Sequence, residues 1–193
     1  MRIKQVIEES VRLKTTLLND ETFLKEIEKV KDVMVKALRD KKKILWCGNG
    51  GSAADCQHLA AEFSGRFYYD RPPLRSEALH CNTSYLTAVA NDYSYDVIFS
   101  RMIKAMGDEG DIIVGISTSG NSKNIILALE EAKERGMIRI SFTGNGGGEM
   151  KSKSDYTLDI PSSDTPRVQE CHIMVGHILC ELVEQEMFPR QKI

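Results

Sequence analysis

The chain has 193 residues, of which 41% are hydrophobic and 28% are charged, and its net charge is -2. This composition is typical of one globular domain, which we place at residues 1–193, and it excludes a disordered chain. The lack of a basic excess argues against nucleic acid as a partner, and no apolar run is long enough for a membrane span.

The thiols and the N-terminus indicate a compartment. The five cysteines are odd in number and form no Cys-x-x-Cys pair, and the N-terminus lacks the apolar core of a signal peptide. Unpaired thiols are typical of a reducing environment, so we expect a cytoplasmic protein.

The first forty residues have the apolar spacing of two helices, with a stop and a new helix start at Asn19-Asp20-Glu21. We expect this helical arm to pack either on its own domain or on another subunit. Apolar positions on helices outside the sheet therefore suggest an oligomer.

Strands alternate with helices from Lys43 onward. Short apolar runs predict strands at 43–47, 77–81, 111–117, 138–142 and 156–160. Helical patterns predict helices at 52–67, at 84–106 with a break near 91–92, at 124–135 and at 166–187. This alternation predicts an α/β fold, a three-layer doubly wound sandwich with a mainly parallel five-stranded sheet, the helical arm and a long C-terminal helix.

Two loops lie where a doubly wound sheet binds ligands, between a strand and the start of a helix. The glycine loop is Gly48-Asn49-Gly50-Gly51-Ser52, and the hydroxyl loop is Ser117-Thr118-Ser119-Gly120-Asn121-Ser122. Free N–H groups at a helix start favour an anion, and four hydroxyl side chains add donors. The alternatives are a tight turn for the first loop and ordinary helix capping for the second. Together the loops predict a small phosphorylated ligand.

Neither loop matches a nucleotide motif. No lysine follows the glycines, so this is not the loop of nucleotide hydrolases, and Gly-x-Gly-x-x-Gly is absent after the first strand. A nicotinamide dehydrogenase is accordingly the weakest of the readings that we consider.

Histidines and a glutamate indicate chemistry on two helices. His58 and Glu62 are four residues apart and share a helix face, where they either bind a metal and move protons or form a solvated contact. His172 and His177 lie on the apolar C-terminal helix as core residues or as site residues. Gln169 and His177 are eight residues apart, about 12 Å along a straight helix, so one metal requires either an irregular helix start or two chains.

These motifs, in this order and at this spacing along nearly the whole chain, resemble those of the bacterial phosphoheptose isomerases, a family of the sugar isomerase (SIS) superfamily. The matching strings are Cys47-Gly48-Asn49-Gly50-Gly51-Ser52, His58-x-x-x-Glu62-x-x-x-Arg66, Ala90-Asn91-Asp92, Gly115 to Ser122, Arg167-Val168-Gln169-Glu170-x-His172, and His177. Pro166 departs from the pattern, because some members carry an acidic residue there; here the nearest one is Asp164.

The resemblance implies a ketose–aldose isomerase that converts sedoheptulose 7-phosphate to D-glycero-D-manno-heptose 7-phosphate, the first step toward nucleotide-activated heptose. It also implies one zinc ion per subunit and a homotetramer with active sites at subunit interfaces. Ser52, Ser117, Thr118, Ser119 and Ser122 would hold the phosphate. The residues that would contact the sugar are Asn49, Gly50, Gly51, Glu62, Arg66, Asn91, Asp92 and Gln169.

His58, Glu62, Gln169 and His177 match the family's zinc-associated positions. We assign Glu62 as the base of an enediol mechanism and His177 as its acid partner. Two alternatives remain: a phosphosugar-binding module without catalysis, and an isomerase of a phosphosugar with another carbon count.

Overall fold

The computed structural model describes residues 1–190. Five strands form one parallel sheet in the order β2-β1-β3-β4-β5. The strands are β1 (Ile44–Gly48), β2 (Ser76–Ala78), β3 (Ile112–Ser117), β4 (Ile138–Thr143) and β5 (Tyr156–Asp159). All residues of β1 and β3 are buried, as expected for strands that are covered on both faces.

Helices cover both faces of the sheet, which confirms the three-layer, doubly wound architecture. The helices are α1 (Arg2–Leu18), α2 (Glu21–Arg39), α3 (Gly51–Ser64), α4 (Thr83–Asp92), α5 (Ile98–Met106), α6 (Lys123–Glu134), α7 (Gly148–Lys153) and α8 (Thr165–Met187). One core joins the sheet to α1, α2, α3 and α8, and the other joins it to α4, α5, α6 and α7.

The break in the N-terminal arm is confirmed. The Asp20 carboxylate caps α2 by accepting the N–H groups of Thr22 and Phe23, each at 3.0 Å. The α2 helix packs against α8 and β5. The α1 helix buries Leu17, whereas Ile3, Ile7 and other apolar side chains on it are exposed.

Two predicted elements differ in the structure. The strand expected at 77–81 ends at Ala78, because the chain turns there and Asn82 caps α4 by accepting the N–H of Tyr85. The glycine-rich run after β4 leads into α7, a short helix that the pattern did not predict. No helix within residues 1–190 combines the length and the apolar character that crossing a membrane requires.

The strand order places the two candidate loops side by side. The chain passes from β1 to β2 on one side and then returns to β3 on the other, so β1 and β3 form the switch point of the sheet. Gly48 is aligned with Ile116 in the parallel register. The glycine loop and the hydroxyl loop therefore leave the same edge of adjacent strands, where doubly wound sheets bind ligands.

Candidate active site

The glycine loop leads directly into α3. Gly50 has a φ of 55°, a conformation that favours glycine, and α3 begins without a side-chain cap. The first N–H groups of a helix have no partner within the helix, so they are available to an anion here. Ser52 lies buried in this first turn.

The hydroxyl loop is not used for helix capping. Ser122 precedes α6, but its side chain makes no capping hydrogen bond. Instead the Ser117 hydroxyl lies 2.8 Å from that of Ser122 and 3.3 Å from that of Ser119. Hydroxyls that converge on one another, and not on the helix start, favour the ligand-binding interpretation over the capping one.

Reciprocal amide hydrogen bonds tie the glycine loop to the first turn of α6, which follows the hydroxyl loop. Asn49 donates to the Oδ1 of Asn124 at 3.0 Å and accepts from the Nδ2 of Asn124 at 2.9 Å. The Tyr95 hydroxyl donates to the same Asn49 oxygen at 2.9 Å. Asn49 thus has a fixed orientation and retains one amide N–H for a ligand.

The structure brings together three of the predicted functional side chains. The Nε2 atoms of His58 and His177 lie 2.9 Å apart. Glu62 Oε1 lies 3.5 Å from the Nε2 of His58, and its side chain is 23% exposed. Residues of α3 and α8 thus form one cluster of two imidazoles and a carboxylate.

The two helices approach closely at Gly176. A Cβ atom there would lie 2.6 Å from the methyl carbons of Leu59, so the glycine is needed for this contact. Near the start of both helices, Gly51 of α3 lies against Gln169 of α8. About two turns farther along both helices, Leu59 lies against Gly176 and His58 against His177. The helices therefore run parallel, and His177 is held opposite His58.

The environment of His177 disfavours the protonated form of its imidazole. Burial lowers the pKa of His177, the neighbouring His58 lowers it further, and Glu62 acts in the opposite direction. The ring of Phe67 lies 5.7 Å from that of His177 and contributes to this apolar surrounding. A neutral imidazole can exchange protons near pH 7.

His172 is a core residue, so the two histidines of α8 have different roles. It is 1% exposed, and its Nε2 lies 3.0 Å from the carbonyl oxygen of Thr143. Burial lowers the pKa of His172 to about 4, against a smaller opposing effect of that hydrogen bond.

Gln169 is separated from the cluster. Its amide lies against Gly51, where an added Cβ would meet Nε2 at 2.1 Å. The α8 helix is continuous from Thr165 to Met187, so the helix start is not irregular at Gln169. Pro166 lies in its first turn, a position that suits proline. Gln169 and His177 are therefore about two turns apart within one chain.

The donor set of the cluster fits zinc in type. Two imidazole nitrogens and a carboxylate oxygen make up one of the common ligand sets of catalytic zinc. Within residues 1–190, no three His, Cys, Asp or Glu side chains are spaced to hold a metal ion as they stand. The 2.9 Å between the imidazoles is a hydrogen-bond length, and bonds of about 2.0 Å to one tetrahedral ion would separate them by about 3.3 Å.

Three of the predicted sugar contacts lie at the surface. Arg66 is exposed in the segment after α3, and Asn91 and Asp92 are exposed at the end of α4. Asn91 donates to Asp92 Oδ1 at 2.9 Å. Among the described residues, no hydrogen bond or ion pair joins these three side chains to His58, Glu62 or His177.

The sequence pattern did not indicate several residues at this site. Asp55 lies one turn before His58, and its Oδ2 has no hydrogen-bond partner in residues 1–190. Burial raises the pKa of Asp55, and His58 opposes this effect. Its spacing of three from His58 was the available signal, whereas Asn124 and Tyr95 had none because their contacts depend on the tertiary fold.

Comparison with known proteins agrees with this geometry. The family model for the SIS domain matches residues 8–144. A phosphoheptose isomerase from Clostridium acetobutylicum is 51% identical over 186 residues, which cover 96% of this chain and 95% of that protein. One from Aneurinibacillus thermoaerophilus is 52% identical over 186 residues, which cover 96% and 94%. The structure of a phosphoheptose isomerase from Neisseria gonorrhoeae matches with a TM-score of 0.90 and 40% identity, over 95% of this chain and 97% of that one.

These similarities extend over nearly the whole chain, including the two loops, α3 and α8. They confirm the resemblance in the motifs and the α/β architecture together. The chain belongs to the phosphoheptose isomerase family of SIS-domain enzymes.

Proposed function

We propose that this chain isomerises sedoheptulose 7-phosphate to D-glycero-D-manno-heptose 7-phosphate. The observation that carries the proposal is the cluster of His58, Glu62 and His177, two members of which lie on the helix that the glycine loop begins. A ketose–aldose isomerase needs a base that moves the carbon-bound proton, a group that transfers protons to and from the C1 and C2 oxygens, and a site that fixes the phosphate. Each of these has a candidate here.

The phosphate would bind at the switch point of the sheet. Ser117, Thr118, Ser119 and Ser122 supply hydroxyl donors, and the first turn of α3 supplies N–H groups together with Ser52. Holding the distal phosphate fixes the position of C1 and C2, and such orientation lowers the activation free energy by several kcal/mol.

Glu62 and His177 would move the protons. The Glu62 carboxylate removes the proton from C1 and returns it to C2 of the enediol. His177 gives a proton to the C2 oxygen and takes one from the C1 oxygen. The remaining N–H of Asn49 would donate to a sugar oxygen.

A zinc ion, one per subunit, would be held by His58, Glu62 and His177, with Gln169 contributed by another chain, since α8 is a continuous helix from Thr165 to Met187. When bound, it would supply a Lewis acid for the oxygens of the enediolate. The support for this proposal is the ligand chemistry of the cluster and the family to which the chain belongs. Glu62 would then shift between ligand and base, since one carboxylate does not serve both roles at once.

We further propose a homotetramer whose subunit interfaces close the sites. The side chain of His58 is 48% exposed, although enediol chemistry benefits from the exclusion of water. Exposed apolar side chains on α1 offer a surface for a second chain, and Arg66, Asn91 and Asp92 are free to reach a neighbouring site.

A cytoplasmic role in heptose synthesis for surface polysaccharide is supported by the five free cysteines.

The test is to incubate the protein with sedoheptulose 7-phosphate and to identify the product by NMR. Three samples are compared: untreated protein, protein treated with a chelator, and chelated protein to which zinc is added back. Aldoheptose 7-phosphate that is lost on chelation and restored by zinc is the expected result. Conversion that survives thorough chelation would remove the metal from the mechanism. Binding without conversion would contradict the proposed reaction and leave a phosphosugar-binding module.

A further inference from the structure

A buried ion pair lies behind the active site. Arg71 Nε donates to Glu184 Oε1 at 3.0 Å, and the two side chains are 3% and 1% exposed. A buried ion pair is retained only when its remaining donors and acceptors are also satisfied. The remaining hydrogen bonds of this pair are made with the end of α3 and with the segment that joins α3 to β2.

Arg71 closes the C-terminal end of α3. Its Nη2 donates to the carbonyl of Glu62 at 2.8 Å, and its Nη1 donates to the carbonyl of Phe63 at 2.7 Å and contacts that of Gly65 at 3.1 Å. The last carbonyls of a helix have no partner within the helix, and its C-terminus favours a positive charge. The guanidinium thus fixes the backbone of the proposed base, Glu62.

Glu184 holds the chain that follows. It accepts the N–H of Phe67 at 2.9 Å and that of Tyr68 at 2.8 Å. Burial raises the pKa of Glu184, but these two N–H groups and Arg71 outweigh it, so the pKa lies below its ordinary value. The carboxylate is therefore ionised at neutral pH and draws the backbone of Phe67 toward α8.

The segment between these contacts faces the reaction centre. Arg71 holds Gly65 on one side of Arg66, and Glu184 holds Phe67 on the other. The Phe67 ring lies against the imidazole of His177. One ion pair thus connects the base, its acid partner and a predicted sugar contact.

We propose that the Arg71–Glu184 pair is a positioning pair for the isomerisation, which orients Glu62 and His177 by fixing the end of α3 and the ring of Phe67. This inference rests on the proposed function. The phosphate loops lie on β1, β3 and the starts of α3 and α6, none of which the pair contacts. Loss of the pair should therefore affect turnover and leave phosphate binding in place.

The test compares Glu184→Gln with Glu186→Gln. Glu186 lies on the same helix two residues later and forms an ion pair with Lys31 of α2 at 2.6 Å, away from the active site. We expect kcat of Glu184→Gln to fall by about tenfold or more, because misplacement of reacting groups by about 1 Å can cost about 100-fold. The inhibition constant of inorganic phosphate should stay unchanged. Hydrogen exchange of the backbone amides of Phe67 and Tyr68 should accelerate. Glu186→Gln should match the wild type in all three measurements.

Arg71→Lys provides a second variant if Glu184→Gln does not fold, since lysine keeps the charge but lacks the planar set of donors. If the wild type is active and Glu184→Gln and Glu186→Gln have equal kcat, the positioning role is overturned and the proposed function stands. The same holds if Glu184→Gln loses kcat and phosphate affinity in parallel. Unfolding of both Glu184→Gln and Arg71→Lys would assign the pair to stability and also overturn it. A wild type without turnover would overturn the proposed function, and the positioning role with it.

Discussion

The imidazoles of His58 and His177 lie 2.9 Å apart at Nε2 although 119 residues separate them in the chain. The contact depends on Gly176, which lets α8 approach α3 at Leu59. Glu62 shares the face of α3 with His58 one turn later. The groups proposed for proton transfer are thus brought together by the packing of two helices and not by the two loops.

Replacement of the proposed base and acid should abolish turnover without unfolding the protein. We expect Glu62→Gln and His177→Ala each to lower kcat by about 100-fold to 10,000-fold, the range for loss of a proton-transfer group. Steady-state kinetics on sedoheptulose 7-phosphate measures the loss, and circular dichroism checks the fold. Glu181→Gln, at a partly buried carboxylate of α8 that accepts a hydrogen bond from Gln185, is the control. Wild-type kcat in either variant would remove that residue from the mechanism.

Metal content should follow His58. We expect the purified wild type to contain about one zinc per chain, as structural and catalytic sites of this type do, and His58→Ala to contain much less. Elemental analysis after dialysis against a weak chelator measures this directly, without recourse to activity. His80→Ala, in the turn between β2 and α4, is the matched histidine control. Equal zinc in His58→Ala and the wild type would place the metal elsewhere.

Loss of hydroxyls from the hydroxyl loop should weaken substrate binding more than chemistry. Ser117→Ala and Ser122→Ala each remove a donor that faces the proposed phosphate, and hydrogen bonds to charged groups contribute about 1.5–3 kcal/mol. We expect KM and the inhibition constant of inorganic phosphate to rise together by about tenfold or more. Ser152→Ala, whose hydroxyl bonds the carbonyl of Glu149, serves as the control. An unchanged phosphate constant would contradict the assignment.

The buried His172 should make stability depend on pH. Its pKa is about 4 in the folded protein, against 6.5 for an ordinary histidine, so between these values the unfolded chain binds a proton that the folded chain does not. Stability should therefore fall as the pH drops from 6.5 toward 4, by up to about 3 kcal/mol from this group. His172→Gln keeps a donor for the Thr143 carbonyl but does not titrate. Urea unfolding at pH 7.5 and 4.5 should show a smaller loss for the variant, and equal losses would refute the account.

Much of the fold was predictable because local signals agree with it. The apolar run at Ile112–Ile116 specifies a buried strand, the alternation of apolar residues at Ile138–Phe142 specifies another strand, and Asn19-Asp20 marks the break between the first helices. The prediction of a strand at 77–81 extended too far, because the chain turns after Ala78 and Asn82 already caps α4. The short α7 was hidden in a glycine-rich run, where helix propensity is low.

The site was predictable only where its residues share one element. The spacing of His58 and Glu62 placed them on one face of α3, but the pattern of α8 could not distinguish His172 from His177. Only tertiary packing turns one of them toward Thr143 and the other toward His58. The Arg71–Glu184 pair was equally invisible, because its partners are 113 residues apart and no motif marks either of them.

The parallel packing of α3 and α8 restricts which changes of length the chain tolerates. Each residue of an α-helix turns the following side chains by about 100°, so deleting a single residue between Gly51 and His58 would carry His58 and Glu62 away from His177. A deletion in the loop 144–147 would leave that angular relation intact. Insertions and deletions should therefore be excluded from the first two turns of α3 and from the stretch between Gln169 and His177, even where the side chains themselves can be exchanged.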